Sequence, residues 1–354
     1  ILIWPFRVLW RILSGKKGLK NARIRKVIFL GLDGLDPDLT ERFMAEGKLP
    51  NLQQRRDEGT FRRLRTTCPP LSPVAWSSFI TGLDPPGHGI FDFVHRDPVS
   101  LDPFLSTARK DASGQLELLR RGTPFWEILT AHDIPATIFK VPANFPPSTP
   151  AGSFWTLPFS SCACGLRAFA GMGTPDILGT YGTFAFYTEG SYTVPAYLEE
   201  CGTALLAGGE LEIHGGRIIS AQLIDGQTVL PIYGPLLDGK PALTHFEIYL
   251  DREYRSAEIT LDAQRLVIQA GEWTPWITID FGRKSYSLEH LQGIARFYLR
   301  AAAPALELYM TPVNIHPGNP AMPISTPATA ADELYRAMGP YYTQGMPDDT
   351  KDLE

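Results

Sequence analysis

The chain has 354 residues, 44% of them hydrophobic and 20% charged, with a formal net charge of −5. At roughly 150 residues per domain this predicts two to three domains, or one large domain with an insertion, and the apolar share excludes a disordered chain. The acidic balance excludes a general nucleic-acid binder, whose footprint is basic, and the glycines follow no collagen-like period. Four cysteines, Cys68, Cys162, Cys164 and Cys201, are too few for a disulfide scaffold at this size. Cys162-Ala163-Cys164 lacks a second Cys or His pair at zinc-site spacing and reads as ordinary thiols near a turn.

Residues 1–24 are an apolar, then basic, lead. Trp4, Phe6 and Trp10 lie in ILIWPFRVLWRIL, and Lys16, Lys17, Lys20, Arg23, Arg25 and Lys26 follow. The run is shorter than the about 20 residues a spanning helix needs. It suits an interfacial helix on an anionic membrane, with residues 1–26 as the contact. It also suits the end of a spanning helix, which would put the domain on the cytoplasmic side. A periplasmic or extracellular placement and a helix packed on the protein's own core are the alternatives.

Val27-Ile28-Phe29-Leu30 is a continuous apolar run ending in Gly31-Leu32-Asp33-Gly34. It predicts a strand buried on both faces, as in a parallel sheet. Asp36-Pro37 supplies an N-cap and a proline in the first turn, and Gly47 a stop. Pro50 opens a second helix that Gly59 closes. Cys68-Pro69-Pro70-Leu71-Ser72-Pro73 reads as a stiff loop, with Ser72 as N-cap of a helix ending at Gly82. Thr123-Pro124 repeats that pattern before Phe125-Trp126-Glu127-Ile128-Leu129. Residues 135–143 read as another strand with its exit loop, and residues 141–195 as mostly loop.

From about 205 the period changes. Phe246, Ile248 and Leu250 alternate with Glu247, Tyr249 and Asp251. Ile259 with Leu261, and Leu266 with Ile268, continue the alternation. Asp225-Gly226, Asp238-Gly239 and Gly271 mark turns. This predicts an antiparallel β insertion over 205–312, a cap on an α/β core whose first part is 25–204. Residues 313–354 then return to the core. The opening Ile1 and a closing run, Tyr341 to Thr350, that reads like a new helix start lead us to expect further polypeptide on both sides.

Two residues could carry chemistry. Asp33 ends the first predicted strand, and ligands of open α/β sheets gather beyond strand carboxyl ends. Ser72 starts a helix, where free N–H groups and partial positive charge favour an anion such as phosphate. A metal on Asp33 would lower the Ser72 hydroxyl pKa and make a nucleophile. Taken singly, Asp-Gly is usually a turn and Ser-Pro a cap.

Taken together, VIFLGLDGLDP (27–37), LPNL (49–52), TTCPPLSPVAWSSFITGLDPPGHGIFDF (66–93) and GMGTPD (171–176) resemble the alkaline phosphatase superfamily. The nearest branch is the type I phosphodiesterase/nucleotide pyrophosphatase family. The resemblance implies a central, mostly parallel sheet flanked by helices, with Asp33 as metal ligand and Thr81-Gly82 as the turn after the nucleophile helix. Ser72 is implied as nucleophile and as a bridge toward metal. It further implies two divalent ions, zinc first with manganese or magnesium as alternatives, acting on a phosphate ester through a phospho-seryl intermediate.

Two departures stand out. Ala75 occupies the position where nucleotide pyrophosphatases often carry an Asn that contacts phosphate. The family's later Asp-x-x-x-His, Asp-His and final His are not found among His88, His95, His132, His214, His245, His290 and His316. Only His88 has an Asp four residues before it, Asp84, within the GLDPPGHGI turn. The expectation is therefore half a two-metal site, its second half beyond residue 354. A non-catalytic accessory subunit docked on a membrane complex is the alternative. A sugar- or lipid-binding β module accounts for residues 210–312 alone and leaves Ser72 unexplained.

Overall fold

The computed structural model describes residues 24–110, 116–132, 134–147, 165–180, 182–189, 204–205, 211–213, 216–237, 239–283 and 290–343. The lead at 1–23, Cys162, Cys164, Cys201, His214 and the expected helix start after 343 lie outside them. The chain divides into two compact units. One comprises Ile1–Ala143 with Pro150–Leu166, and the other Asn144–Thr149 with Arg167–Glu354.

The first unit carries the helices that the sequence predicts. Helix α1 spans Pro37–Ala45, and Asp36 caps it by accepting a hydrogen bond from Leu39 N–H at 2.8 Å. Pro37 fits the first turn because it has no N–H to leave unpaired there. Gly47 (φ +72) follows the helix in the left-handed region, as its role as stop requires. Helix α2 spans Pro50–Glu58 and ends at Gly59. Helix α3 spans Ser72–Thr81 and ends at Gly82, φ +69. A single turn, α4, spans Pro85–His88, and α5 spans Phe125–Ala131. For α3 and α5 the cap lies one residue off the expected Ser72 and Thr123: Leu71 and Pro124 hold those positions.

Strands β1 (Val94–Arg96) and β2 (Pro103–Leu105) form one antiparallel ribbon in this unit, and β3 (Ala108–Lys110) and β4 (Leu116–Leu118) another. Strand β5 (Ala136–Val141) falls within the predicted 135–143. The run Val27–Leu30 corrects the sequence reading. It is extended but unpaired among the described residues, and its four side chains are 60–79% exposed. A run apolar on both faces needs a strand on each edge and a layer on each face to be buried; among the described residues neither edge has a strand.

The second unit is mainly antiparallel. Its strands are β6 (Leu166–Ala170), β7 (Ala185–Thr188), β8 (Ala204–Leu205), β9 (Leu211–Ile213), β10 (Gly216–Ser220), β11 (Gln227–Leu237), β12 (Lys240–Asp251), β13 (Ser256–Leu261), β14 (Gln264–Gln269), β15 (Ile277–Arg283), β16 (His290–Ala295), β17 (Phe297–Ala301), β18 (Glu307–Met310), β19 (Asn314–Ile315) and β20 (Ser325–Thr326). Helix α6 (Thr329–Met338) follows. One sheet runs β17-β18-β7-β10-β9-β8, a second β11-β12-β13-β14 and a third β15-β16-β19. Among the described residues of this unit, β10 pairs β7 in parallel and the other pairings are antiparallel, so these sheets are not the expected central parallel sheet.

The alternation predicted for this region holds. Phe246, Ile248 and Leu250 are buried, while Glu247 and Tyr249 between them are exposed. Asp225 (φ +52) and Gly226 (φ +79) form the two-residue turn between Ile224 and Gln227, the left-handed pair that suits right-twisted hairpins. One core runs from Ile177, Ala185 and Tyr187 through Ile232, Phe246 and Ile259 to Phe297, Leu308 and Val313. Each buried Val, Leu, Ile or Phe among them contributes about 1.5–3 kcal/mol by leaving water.

Candidate active site

The site is built in the first unit by two glycines and a set of rings. Asp33 lies in a turn with Gly34, whose φ of +64 requires the left-handed backbone that glycine tolerates. Gly31 permits close approach: a Cβ there would sit 2.2 Å from Cη2 of Trp76 on α3. Phe29 packs edge-on against Phe79 of α3 at 5.7 Å, and Phe79 meets Phe125 at 5.7 Å. Such ring pairs add about 0.5–1.5 kcal/mol each beyond their burial. They hold the segment carrying Asp33 against the helix that carries Ser72.

The result joins the two residues that the sequence singled out. Ser72 Oγ donates to the Asp33 carboxylate, 3.0 Å from Oδ1 and 3.2 Å from Oδ2. Ser72 is half-buried and Asp33 is exposed. Because Leu71 takes the cap position, the Ser72 hydroxyl is released from capping and turns to the carboxylate.

The helix start offers an anion less than the sequence suggests. Val74 N–H and Ala75 N–H both bond to Leu71 O, at 3.1 and 2.9 Å, and Pro73 has no N–H. Ser72 N–H is the amide left in that turn to face a ligand. Ala75 brings no side-chain donor. A phosphate here must draw most of its stabilisation from cations or from side chains elsewhere.

The GLDPPGHGI turn is structural. Asp84 caps α4 by accepting from Gly87 N–H at 3.1 Å. His88 is fully buried, and its Nδ1 accepts from Ile90 N–H at 3.1 Å. That fixes the neutral ring with its proton on Nε2, which donates to Ser78 Oγ at 3.0 Å. Burial, then the positive charge of Arg120, hold His88 below its ordinary pKa. Both ring nitrogens are committed to hydrogen bonds.

In the second unit, one ring nitrogen of His316 is engaged: Nδ1 accepts from Gly318 and Asn319 N–H, each at 3.1 Å. Asp176 of GMGTPD is buried there and organises its loop, accepting from Leu178 N, Thr180 N and Thr180 Oγ1 at 2.7–2.9 Å. Burial pushes its carboxyl up despite those bonds. Sequence reasoning missed one pair, Asp280 and His290, whose Oδ2 and Nδ1 lie 2.6 Å apart across β15 and β16. Their signal was strand register, which a single chain does not reveal.

Asp33 and Ser72 present oxygen donors, the one exposed and the other half-buried, and oxygen is the hard-ligand chemistry that a divalent cation takes. Among the described residues no group of three or more His, Cys, Asp and Glu side chains could hold a metal ion. Two oxygen donors alone, Asp33 and Ser72, do not make up a metal site among the described residues.

Residues 27–200 match a family of the alkaline phosphatase superfamily. That family is the type I phosphodiesterase/nucleotide pyrophosphatases, whose members act on phosphate esters and are typically metal-dependent. Comparisons with curated proteins and with solved structures returned no match.

Proposed function

We propose that the protein is a metal-dependent phosphoester hydrolase in which Ser72 is the nucleophile. The observation that carries this reading is the Ser72 hydroxyl held by the Asp33 carboxylate at 3.0 and 3.2 Å. The hydrogen bond keeps the hydroxyl proton on the Asp33 side of Oγ and leaves oxygen lone pairs facing outward. An incoming phosphorus is attacked by Oγ, the ester oxygen leaves, and a phospho-serine forms on Ser72 for water to hydrolyse. Asp33 and Ser72 would hold divalent metal, zinc first, which supplies Lewis-acid stabilisation and a lowered hydroxyl pKa. The remaining ligands, Asp and His residues of the family pattern, are assigned to polypeptide beyond residue 354. The β strands of 205–312 are assigned the role of a cap that selects the ester.

The test is hydrolysis of bis-p-nitrophenyl phosphate and p-nitrophenyl phosphate by the full-length protein with and without divalent metal. Metal-dependent turnover that Ser72→Ala and Asp33→Asn abolish is the expected result. Wild-type rates in both variants would overturn the assignment.

A second reading, a non-catalytic accessory subunit on a membrane complex, is favoured by the exposed apolar run at Val27–Leu30. Residues 1–26 would then supply the membrane contact, with the domain on the cytoplasmic side. Among the described residues no helix is long and apolar enough to cross a membrane. Co-sedimentation with anionic vesicles, before and after removal of residues 1–26, tests the membrane contact, and metal-dependent turnover by the full-length protein separates the two readings.

A further inference from the structure

The ribbon of β3 and β4 places two incompletely bonded polar side chains side by side in the interior of the first unit. Ala108 pairs with Leu118, and Leu119 N–H bonds Thr107 O at 2.9 Å. One step further along, the same antiparallel register sets Ser106 opposite Arg120. Directly opposed residues share a face of the ribbon, with Cβ atoms about 4.5–5.5 Å apart. Burial agrees with that placement: Ser106 is 0% and Arg120 6% exposed, while Thr107 and Leu119 between them are only half-buried.

Neither side chain is fully bonded among the described residues. Ser106 Oγ and Arg120 Nη1 are buried without a hydrogen-bond partner there. The guanidinium makes one bond among the described residues, from Nε to Ala143 O at 3.2 Å. Glu127 is the acidic group that favours its charge, yet no carboxylate forms an ion pair with it among the described residues. Burial lowers its pKa to about 10, so it stays cationic near neutral pH. A buried charge without a counter-charge is strongly destabilising, and proteins rarely leave one so.

We propose that Arg120 and Ser106 form an internal site for one small inorganic oxyanion of the phosphate or sulfate type. The planar guanidinium offers a fork of N–H donors that matches two oxygens of such an ion. The Ser106 hydroxyl supplies a further donor from the facing strand. The burial of both residues excludes a bulky ester, so the source is free inorganic anion and not the phosphate group of a larger molecule. The site is separate from the exposed Asp33, and its occupancy does not depend on the hydrolase reading.

The test is isothermal titration of the whole protein with inorganic phosphate and sulfate in a chelator, with glycerol phosphate as the bulky comparison. One anion should bind per chain, glycerol phosphate should not, and Ser72→Ala should leave binding unchanged. Arg120→Gln should abolish it, and Ser106→Ala should weaken it roughly tenfold, as loss of a bond to a charged group does. No binding to wild-type protein, or wild-type affinity in Arg120→Gln, would overturn the site. Should Arg120→Gln fail to fold, the wild-type protein decides: the Arg120 Nε–H resonance must move on adding phosphate, and an unmoved resonance overturns the proposal.

Discussion

Ser72 Oγ lies 3.0 Å from Asp33 Oδ1 and 3.2 Å from Oδ2, so one hydroxyl proton is shared between two carboxylate oxygens. Asp33 is exposed, and exposed polar pairs contribute only about 0–1 kcal/mol to folding. Ser72 is also not the cap of its helix. Function and stability should therefore separate at this pair. Ser72→Ala should lower phosphoester hydrolysis at least roughly 10³-fold and shift the melting temperature by no more than about 2 °C. Paired rate and melting measurements check this, and a large loss of stability would mean that the pair holds the fold.

Gly31 tests how that pair is positioned. A Cβ there would lie 2.2 Å from Trp76 Cη2 and 3.0 Å from Cζ3. Gly31→Ala must push the indole aside, away from the Trp76–Phe79 edge contact at 5.8 Å. Overpacking of this kind costs about 1–3 kcal/mol. Since Asp33 is two residues further on, hydrolysis should fall as well. A shift in tryptophan emission accompanying the lost activity is the expected pair of signals. Unchanged emission and melting would mean that the ring has room to yield.

Local signals were legible in the chain and long-range ones were not. Asp36-Pro37, Gly59 and Gly82 stand at the helix ends that the sequence indicated, because caps and stops are set by a residue and its near neighbours. The alternation of Phe246, Ile248 and Leu250 revealed a half-buried strand for the same reason. Asp33 and Ser72, 39 residues apart in the chain, were linked by the chemistry a strand end and a helix start can share and by resemblance; contact between them depends on Gly31 and on the Phe29, Phe79 and Phe125 rings. The run at 27–30 reads as a buried strand because its composition specifies what it can pack against. Composition does not say whether a neighbour is there. The Asp280–His290 pair and the opposition of Ser106 to Arg120 are properties of register, which no short window of sequence contains.

The cap of α1 gives a stability prediction independent of function. Asp36 accepts Leu39 N–H at 2.8 Å, and Thr40 N–H bonds Asp36 O at 3.0 Å. Asp36→Ala should cost about 1 kcal/mol in chemical denaturation, while Asp36→Asn should cost only a few tenths, since its amide oxygen can still cap. Equal losses in the two variants would assign the effect to charge and not to the hydrogen bond.

Acid should weaken the first unit through His88. Burial and the Arg120 charge hold its folded pKa below 6.5, while in the unfolded chain it titrates near about 6.5. As pH falls through that value, the unfolded state takes up a proton that the folded state resists. Stability is therefore full above about pH 6.5 and declines below it. The buried His316 ring adds a change of the same sign in the second unit. Asp176 opposes both, because burial raises its carboxyl pKa and acidification then favours the folded form. A substitution isolates His88 from these other groups. His88→Gln keeps an acceptor for Ile90 N–H and a donor for Ser78 Oγ but cannot titrate. It should be less stable than wild type at pH 7.5, because the amide fills the buried space imperfectly. Its stability should fall less between pH 7.5 and 5.5. Denaturant titrations of both proteins at the two pH values provide the comparison, and parallel losses would place the acid sensitivity elsewhere than His88.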